Sequence, residues 1–370
     1  MNGQRLALNR RLRVSPYEAR SLPGVRRVSV YNHMVLPVVY ETLEEDYWHL
    51  REHVQMWDVA CQVQVEIRGP DALKLVEWMT PRDVSLCEPG QCIYVTLLDE
   101  AAGIINDPIV SCLAPDRYWL SVSDSDVLLW VKGLAQSGEW RVEVFDPNVF
   151  PMSVQGPKSG DLMSRVLGDS IRELGFFRFI ETQIASIPVY VARTGWSGQG
   201  GFEIYLLEAS LGVELWDALA AAGKDLNVRV GSPNLIDRIE TGLLSYGSDM
   251  TLENNPLEVG LDRFFEMGKT ADYLAREALE HIVAVGPARK LVRVAAKGEP
   301  VGLPRTSYAL KGATGQEVGF VTSMVYSPRL EHNIGFGFVP SELAEVGGEL
   351  DVVTSKGSQS ATIVDDNWST

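Results

Sequence analysis

An α+β protein of two or three domains is what this sequence predicts, on three observations. At 370 residues the chain exceeds what one hydrophobic core usually serves. Two stretches repeat one local grammar, a strand running into Gly-Pro and then an amphipathic helix. From Lys290 onward short strand-like runs alternate with glycine turns, the pattern of a small β-rich domain.

In chain order, Met1 to Val14 carries four arginines and no apolar core segment, which excludes a secretory signal. Its Arg and Leu content would suit a transit peptide, but serine is absent there. His49-Leu50-Arg51-Glu52-His53 spaces two imidazoles one helical turn apart, as zinc sites do. No third ligand accompanies them, so a partly exposed helix and no metal are expected. Gln64-Val65-Glu66-Ile67-Arg68-Gly69-Pro70 leads into a helix from Asp71 to Met79, and Met152-Ser153-Val154-Gln155-Gly156-Pro157 into one from Lys158 to Met163. In both, proline sits at or near the first turn, where its missing N–H costs nothing. The intervening pieces are dissimilar, so this is not a solenoid. Arg117 to Ser123, Ile187 to Arg193 and Phe202 to Leu206 read as strands. Leu211 to Ala222 and Asn234 to Tyr246 read as helices, the second with Asn234 as N-cap and Asp237 in its first turn. Character changes near Met267. Lys269 to Gly286 is a helix-bearing connector, and Gly312, Gly315, Gly319, Gly347, Gly348 and Gly357 punctuate the strands that follow.

The totals narrow the function. With 45% apolar and 22% charged residues the chain has the composition of an ordinary soluble globular protein. A net charge of −16 argues against sequence-independent nucleic-acid binding and against an anionic membrane surface. Cys61, Cys87, Cys92 and Cys112 lack CxxC spacing, so reduced, mostly buried thiols are expected. No apolar run approaches membrane-spanning length. A cytoplasmic location is the expectation.

The richest stretch is Arg193-Thr194-Gly195-Trp196-Ser197-Gly198-Gln199-Gly200-Gly201-Phe202-Glu203-Ile204-Tyr205. Its glycines let the backbone approach a flat ligand or take positive φ. On the strand that follows, Glu203 and Tyr205 share a face. A carboxylate and an aromatic on one face can grip a planar heterocycle that bears an amino group beside a ring N–H. The same residues would also serve as a hairpin loop with a buried tryptophan and a solvated glutamate.

Taken together, Val154-Gln155-Gly156-Pro157, the Gly195-to-Tyr205 segment, Arg238-Ile239-Glu240-Thr241-Gly242 and the β-rich C-terminus resemble the glycine-cleavage T-protein (aminomethyltransferase) superfamily over nearly the whole chain. Further motifs are most similar to its tetrahydrofolate-dependent dimethylsulfoniopropionate demethylase branch. These are Tyr31-Asn32-His33-Met34, Glu52-His53-Val54-Gln55-Met56-Trp57-Asp58-Val59, Asn106-Asp107-Pro108-Ile109, Ser125-Asp126-Val127-Leu128-Leu129-Trp130 and Leu243-Leu244-Ser245-Tyr246-Gly247. The resemblance implies a three-domain disc with a central folate channel. The first domain would take residues 1–53 plus 144–266, an inserted α+β domain 54–143, and the C-terminal domain 267–370. It implies a small sulfonium substrate, tetrahydrofolate as methyl acceptor, and a homodimer as an admissible assembly. Glu203 would meet the pterin, with Tyr94 and Arg238 as further folate contacts and Trp368 capping the channel or anchoring the chain end. Ser121, Trp196, Tyr205 and Tyr31 would line the substrate pocket.

Aminomethyltransferases carry paired aspartates where this chain has Asn106-Asp107, and the resemblance gives the first the catalytic role. An amide cannot bear the charge needed to protonate an amine leaving group. Asn106 and Tyr205 are therefore the positions expected to set the chemistry, with Asp107 orienting backbone through the Pro108 turn. A sulfonium leaves as a neutral thioether and needs alignment in a dry aromatic pocket rather than an acid. Ser121, Arg178 or Arg193 would meet the substrate carboxylate. Ile93, Gly198 and Ser232 depart from the demethylase pattern, which expects an aromatic, a lysine and a cysteine. Aminomethyl transfer on a lipoylated carrier, and demethylation of another onium or O-methyl donor, are the alternatives. A folate-binding assembly role would want a cysteine motif that Lys269-Thr270-Ala271-Asp272-Tyr273-Leu274 lacks.

Overall fold

A computed structural model describes residues 9–265, 267–302 and 306–369; residues 1–8 of the arginine-bearing N-terminal segment therefore lie outside it. Three hydrophobic cores organise the chain. The first lies on a six-stranded sheet in the order Phe179–Ile184, Ile187–Ala192, Gly201–Leu206, Phe150–Gln155, Val54–Asp58, Val228–Gly231. The second lies on a five-stranded sheet in the order Glu143–Phe145, Val63–Arg68, Arg117–Val122, Ile109–Ala114, Gln91–Tyr94. The third fills a closed six-stranded barrel built from residues 289–364.

Sheet membership shifts two expected boundaries. Val54–Asp58, expected to open the inserted domain, is buried along its whole length inside the first sheet. It pairs antiparallel with Phe150–Gln155 and parallel with Val228–Gly231. Glu143–Phe145 straddles the expected end of the insert and pairs with the insert's own Val63–Arg68.

Both Gly-Pro units use one backbone device. Gly69 and Gly156 take φ of +138° and +120°, and a Cβ there would lie 2.3 Å from the Arg141 carbonyl oxygen or 2.4 Å from that of His53. Only glycine permits the strand to turn this close to its neighbour. The helices Ala72–Met79 and Ser159–Leu167 follow.

Asn234 caps its helix as expected, its Oδ1 accepting from the backbone N–H of Ile236 and Asp237. The helix is shorter than predicted. It covers Leu235–Thr241 and stops at Gly242, which takes φ of +78°. The residues expected to continue it instead wrap around the Asp249 carboxylate, which accepts from the Ser245 N–H at 3.0 Å. The connector's helix is Arg276–Val285.

Candidate active site

Glu203 and Tyr205 lie on the Gly201–Leu206 strand, flanked by Phe150–Gln155 and Ile187–Ala192. Both are buried. Glu203 Oε2 accepts from the Thr194 hydroxyl at 2.5 Å and from the Tyr205 hydroxyl at 3.5 Å. Its other carboxyl oxygen has no donor among the described residues and is free for a ligand. Burial pushes the Glu203 carboxyl above its usual range, against the pull of its two hydroxyl partners. Tyr205 is also raised, first by burial and then by Glu203, while Ser121 and Thr194 draw its hydroxyl the other way. The second sheet meets the first here, with Trp119 on Tyr205 at 6.0 Å between ring centres. Glu203, Tyr205 and Ser121, expected together, are together. Thr194 was missed, although it immediately precedes the glycine run.

A second group carries Tyr94. Its hydroxyl donates to Asp107 Oδ2 at 2.8 Å, and its ring stands edge-on to Phe264 at 5.0 Å. Burial pushes the Asp107 carboxyl up to about 7, with the like charge of Asp249 adding to the rise. Asp249 links onward, accepting from Arg238 Nη1 at 2.6 Å. The Arg238 guanidinium also donates to the Ser323 hydroxyl and the Leu243 carbonyl, and lies 5.7 Å from the centre of the Trp196 ring. Arg238 and Ser245 both act on the Tyr31 hydroxyl. Trp196, Arg238 and Tyr31 thus form one patch, and Tyr94 with Asp107 another, joined through Asp249.

In the glycine loop Gly200 takes the expected positive φ, +73°, while Gly195 and Gly201 serve a different end. A Cβ at Gly195 would lie 2.3 Å from Gln155 Nε2, and one at Gly201 would lie 2.5 Å from it. These glycines make room for the protein's own Gln155 amide, not for a ligand. Gln155 Nε2 donates to Ser153 Oγ at 3.0 Å and its Oε1 accepts from Ser197 Oγ at 2.6 Å, so the loop is wound on it.

Several expected roles change. Asn106 is fully buried, and its Nδ2 donates to the Asp124 carbonyl at 2.8 Å and to Ser125 Oγ at 3.3 Å. It is Asp107, just past the end of the Ile104–Asn106 strand and expected only to orient the turn, that joins the Tyr94 cluster. Trp368 is an anchor: its Nε1 donates to the Glu240 carbonyl at 2.8 Å and its ring packs with Tyr47, Ile236 and Ile239. Its indole N–H is thereby engaged inside the protein. Ile93 packs on the second core, away from Tyr94, and owes nothing to stacking. Gly198 gives its N–H to Asp237 at 2.9 Å, and a Cβ there would lie 2.0 Å from Thr241 Cγ2, so a lysine would require the Thr241 side chain to move. The Ser232 hydroxyl donates to the Val38 carbonyl. Arg178 pairs with Glu88 at 3.6 Å and Arg193 lies 4.7 Å from the Phe202 ring centre.

The four cysteines are free and buried, as expected. His49 Nε2 bonds the Asn227 carbonyl and His53 Nδ1 contacts Lys158 Nζ. No cluster of three metal-binding side chains occurs among the described residues, and no helix there is long and apolar enough to cross a membrane.

Residues 18–269 match the family model described as the GCVT N-terminal domain, and residues 289–368 that of the glycine cleavage T-protein C-terminal barrel domain. A protein of Ruegeria pomeroyi named dimethylsulfoniopropionate demethylase is 44% identical over 97% of this chain and 98% of its own. An aminomethyltransferase of Halothermothrix orenii is 30% identical over 89% of this chain and 92% of its own. Among solved structures, the glycine cleavage system aminomethyltransferase T of Bartonella henselae superposes with a TM-score of 0.86 at 22% identity, over 96% of this chain and 98% of that one. That likeness establishes the fold.

Proposed function

The chain belongs to the glycine-cleavage T-protein family, and from that membership we propose that it transfers a methyl group from dimethylsulfoniopropionate to tetrahydrofolate. The products are methylmercaptopropionate and 5-methyltetrahydrofolate. The observation that carries the reading is Glu203, a buried carboxylate with one oxygen still free beside the Tyr205 ring. That is what an amino-pyrimidine edge requires, and burial makes the charge-assisted bond stronger. The folate supplies the nucleophilic nitrogen. The donor follows from the 44% likeness to a protein bearing the demethylase name, against 30% for an aminomethyltransferase.

In this reading Glu203 and Tyr94 orient the acceptor. Tyr205 of the Glu203 group and Trp196 and Tyr31 of the Arg238 patch are the rings assigned to the sulfonium, whose positive charge suits aromatic faces. Arg238, already bonded to Asp249 and Ser323, positions Trp196 rather than touching a ligand. The thioether leaves neutral, so no acid is asked of Asn106. The nitrogen nucleophile gives up a proton, and Asp107, poised at about 7, takes it at its carboxylate. The four buried free thiols suit a reducing cytoplasm.

One observation favours a second reading. Asp107 is an acid–base group of the kind an amine leaving group needs, which suits aminomethyl transfer. The deciding experiment incubates the pure protein anaerobically with tetrahydrofolate and, in separate arms, the sulfonium, glycine betaine, a methoxy-aromatic acid and an aminomethylated lipoyl carrier. Methylated folate from the sulfonium arm is expected; none there, with turnover of the carrier, transfers the assignment to the second reading. Glu203→Ala should weaken folate binding and Trp196→Ala the sulfonium, and equal losses of both ligands in both variants would refute this division of the pocket.

A further inference from the structure

Gln64 lies in the Val63–Arg68 strand and is 1% exposed. Val65 and Ile67 enter the second core, so Gln64 and Glu66 point to the opposite face, which carries Trp119 against Tyr205. Opposite Gln64 in register stands Ser121, whose hydroxyl accepts from Gln64 Nε2 at 3.1 Å. Nε2 also donates to the Gln62 carbonyl at 3.1 Å, which fixes the amide, since turning it over would set oxygen against oxygen. The free end is therefore Oε1. It is buried and meets no donor among the described residues. Glu66, on the same face, is by contrast fully engaged by Arg117 and Trp119. From Ser121 the polar chain continues to the Tyr205 hydroxyl and on to Glu203.

A buried amide oxygen wants a hydrogen-bond donor. A carboxylate and a thioether offer none. The methyl and methylene groups on a sulfonium do, because the positive charge polarises their C–H bonds toward an acceptor. A neutral oxygen also suits an electrophilic methyl group better than a carboxylate would. It presents partial negative charge without a strong nucleophile. It also avoids stabilising the cation so far that the charge-dispersing transition state is disfavoured. Asn106 Oδ1 is a second buried amide oxygen without a donor among the described residues.

We infer that Gln64 holds the onium end of the methyl donor through Oε1 and so selects cationic donors over neutral isosteres. The inference rests on the demethylase reading and adds to it a specificity residue. The test compares the wild type with Gln64→Met and Gln64→Glu, using the sulfonium, its neutral thioether product and tetrahydrofolate as ligands. Gln64→Met should raise KM for the sulfonium about 10-fold, while affinities for thioether and folate change less than about 2-fold and Tm does not fall. Gln64→Glu should lower KM and kcat together, since a contacting carboxylate stabilises the bound cation more than the transition state. Equal weakening of sulfonium and thioether, or no change in either, overturns the inference. Absence of wild-type turnover refutes the demethylase reading alone. Titration with trimethylammonium compounds against their uncharged tert-butyl isosteres then decides the charge preference, and a preference that is missing or that Gln64→Met retains overturns the inference too.

Discussion

Asp107 holds its proton until the pH approaches 7, whereas in the unfolded chain the same carboxyl ionises near its ordinary value of 3.8. Between those values the unfolded chain releases a proton that the folded chain keeps, so stability declines as pH rises from about 4 to about 7 and levels off above. Asp107→Asn removes this penalty and still accepts from Tyr94. Its gain in Tm should be negligible at pH 4 and largest above pH 7, worth about 2 kcal/mol at this half-buried position. Its kcat should fall about 100-fold for want of a proton acceptor. Denaturation at two pH values, run beside an activity assay, checks both. A gain independent of pH would mean that Asp107 is ionised throughout. The Glu203–Tyr205 couple was legible in sequence because a two-residue spacing on a strand fixes a shared face. Which of Asn106 and Asp107 meets Tyr94 was not, since the two are adjacent at a strand end and only distant surroundings decide which side chain faces that ring.

The glycine loop and the helix after Asn234 show what an element owes to contacts outside itself. Gly195→Ala would drive a methyl group into Gln155, whose amide is already held by Ser153 and Ser197. The expected cost is about 2 kcal/mol, read as a lower Tm, with weaker folate binding because Thr194 and Glu203 flank the displaced segment. Unchanged melting would show that Gln155 yields without loss. The Asn234 cap was readable because its partners lie two and three residues along. The early stop at Gly242 was not. Apolar spacing ran on past it, and the carboxylate that accepts from the Ser245 N–H belongs to Asp249, a residue with no local signature. The role of Gln155 was hidden for a related reason: beyond its strand neighbour Ser153, the partners that matter, Thr194 and Ser197, lie in a loop far along the chain.

Two buried carboxylates fasten the barrel to the first domain. Asp249 accepts from Arg238 and from Thr322 and Ser323 of the barrel. Glu240 accepts from Tyr47 on one side and from Ser327 and Arg329 of the barrel on the other. Asp249→Asn leaves the Arg238 charge buried without its partner, at a cost of about 3 kcal/mol. Because the lost bonds lie between bodies that each keep their own core, calorimetry should resolve a separate, earlier transition for the barrel. A single cooperative transition would show that apolar contacts hold the two together unaided. Three bodies could be anticipated from length and glycine punctuation, but their seams could not, because aromatic rings at one and carboxylates at the other meet partners distant in sequence.

The placement of Val54–Asp58 at the heart of the first sheet has a consequence for how the chain comes off the ribosome. Its two hydrogen-bonding neighbours are not translated until Gln155 and Gly231 have been added. The insert holds its own sheet and core within residues 63–145, so it can consolidate during synthesis while that apolar strand waits exposed. Chaperone capture of nascent chains stalled between residues 150 and 230 should therefore centre on Val54–Asp58 and be relieved once Gly231 emerges.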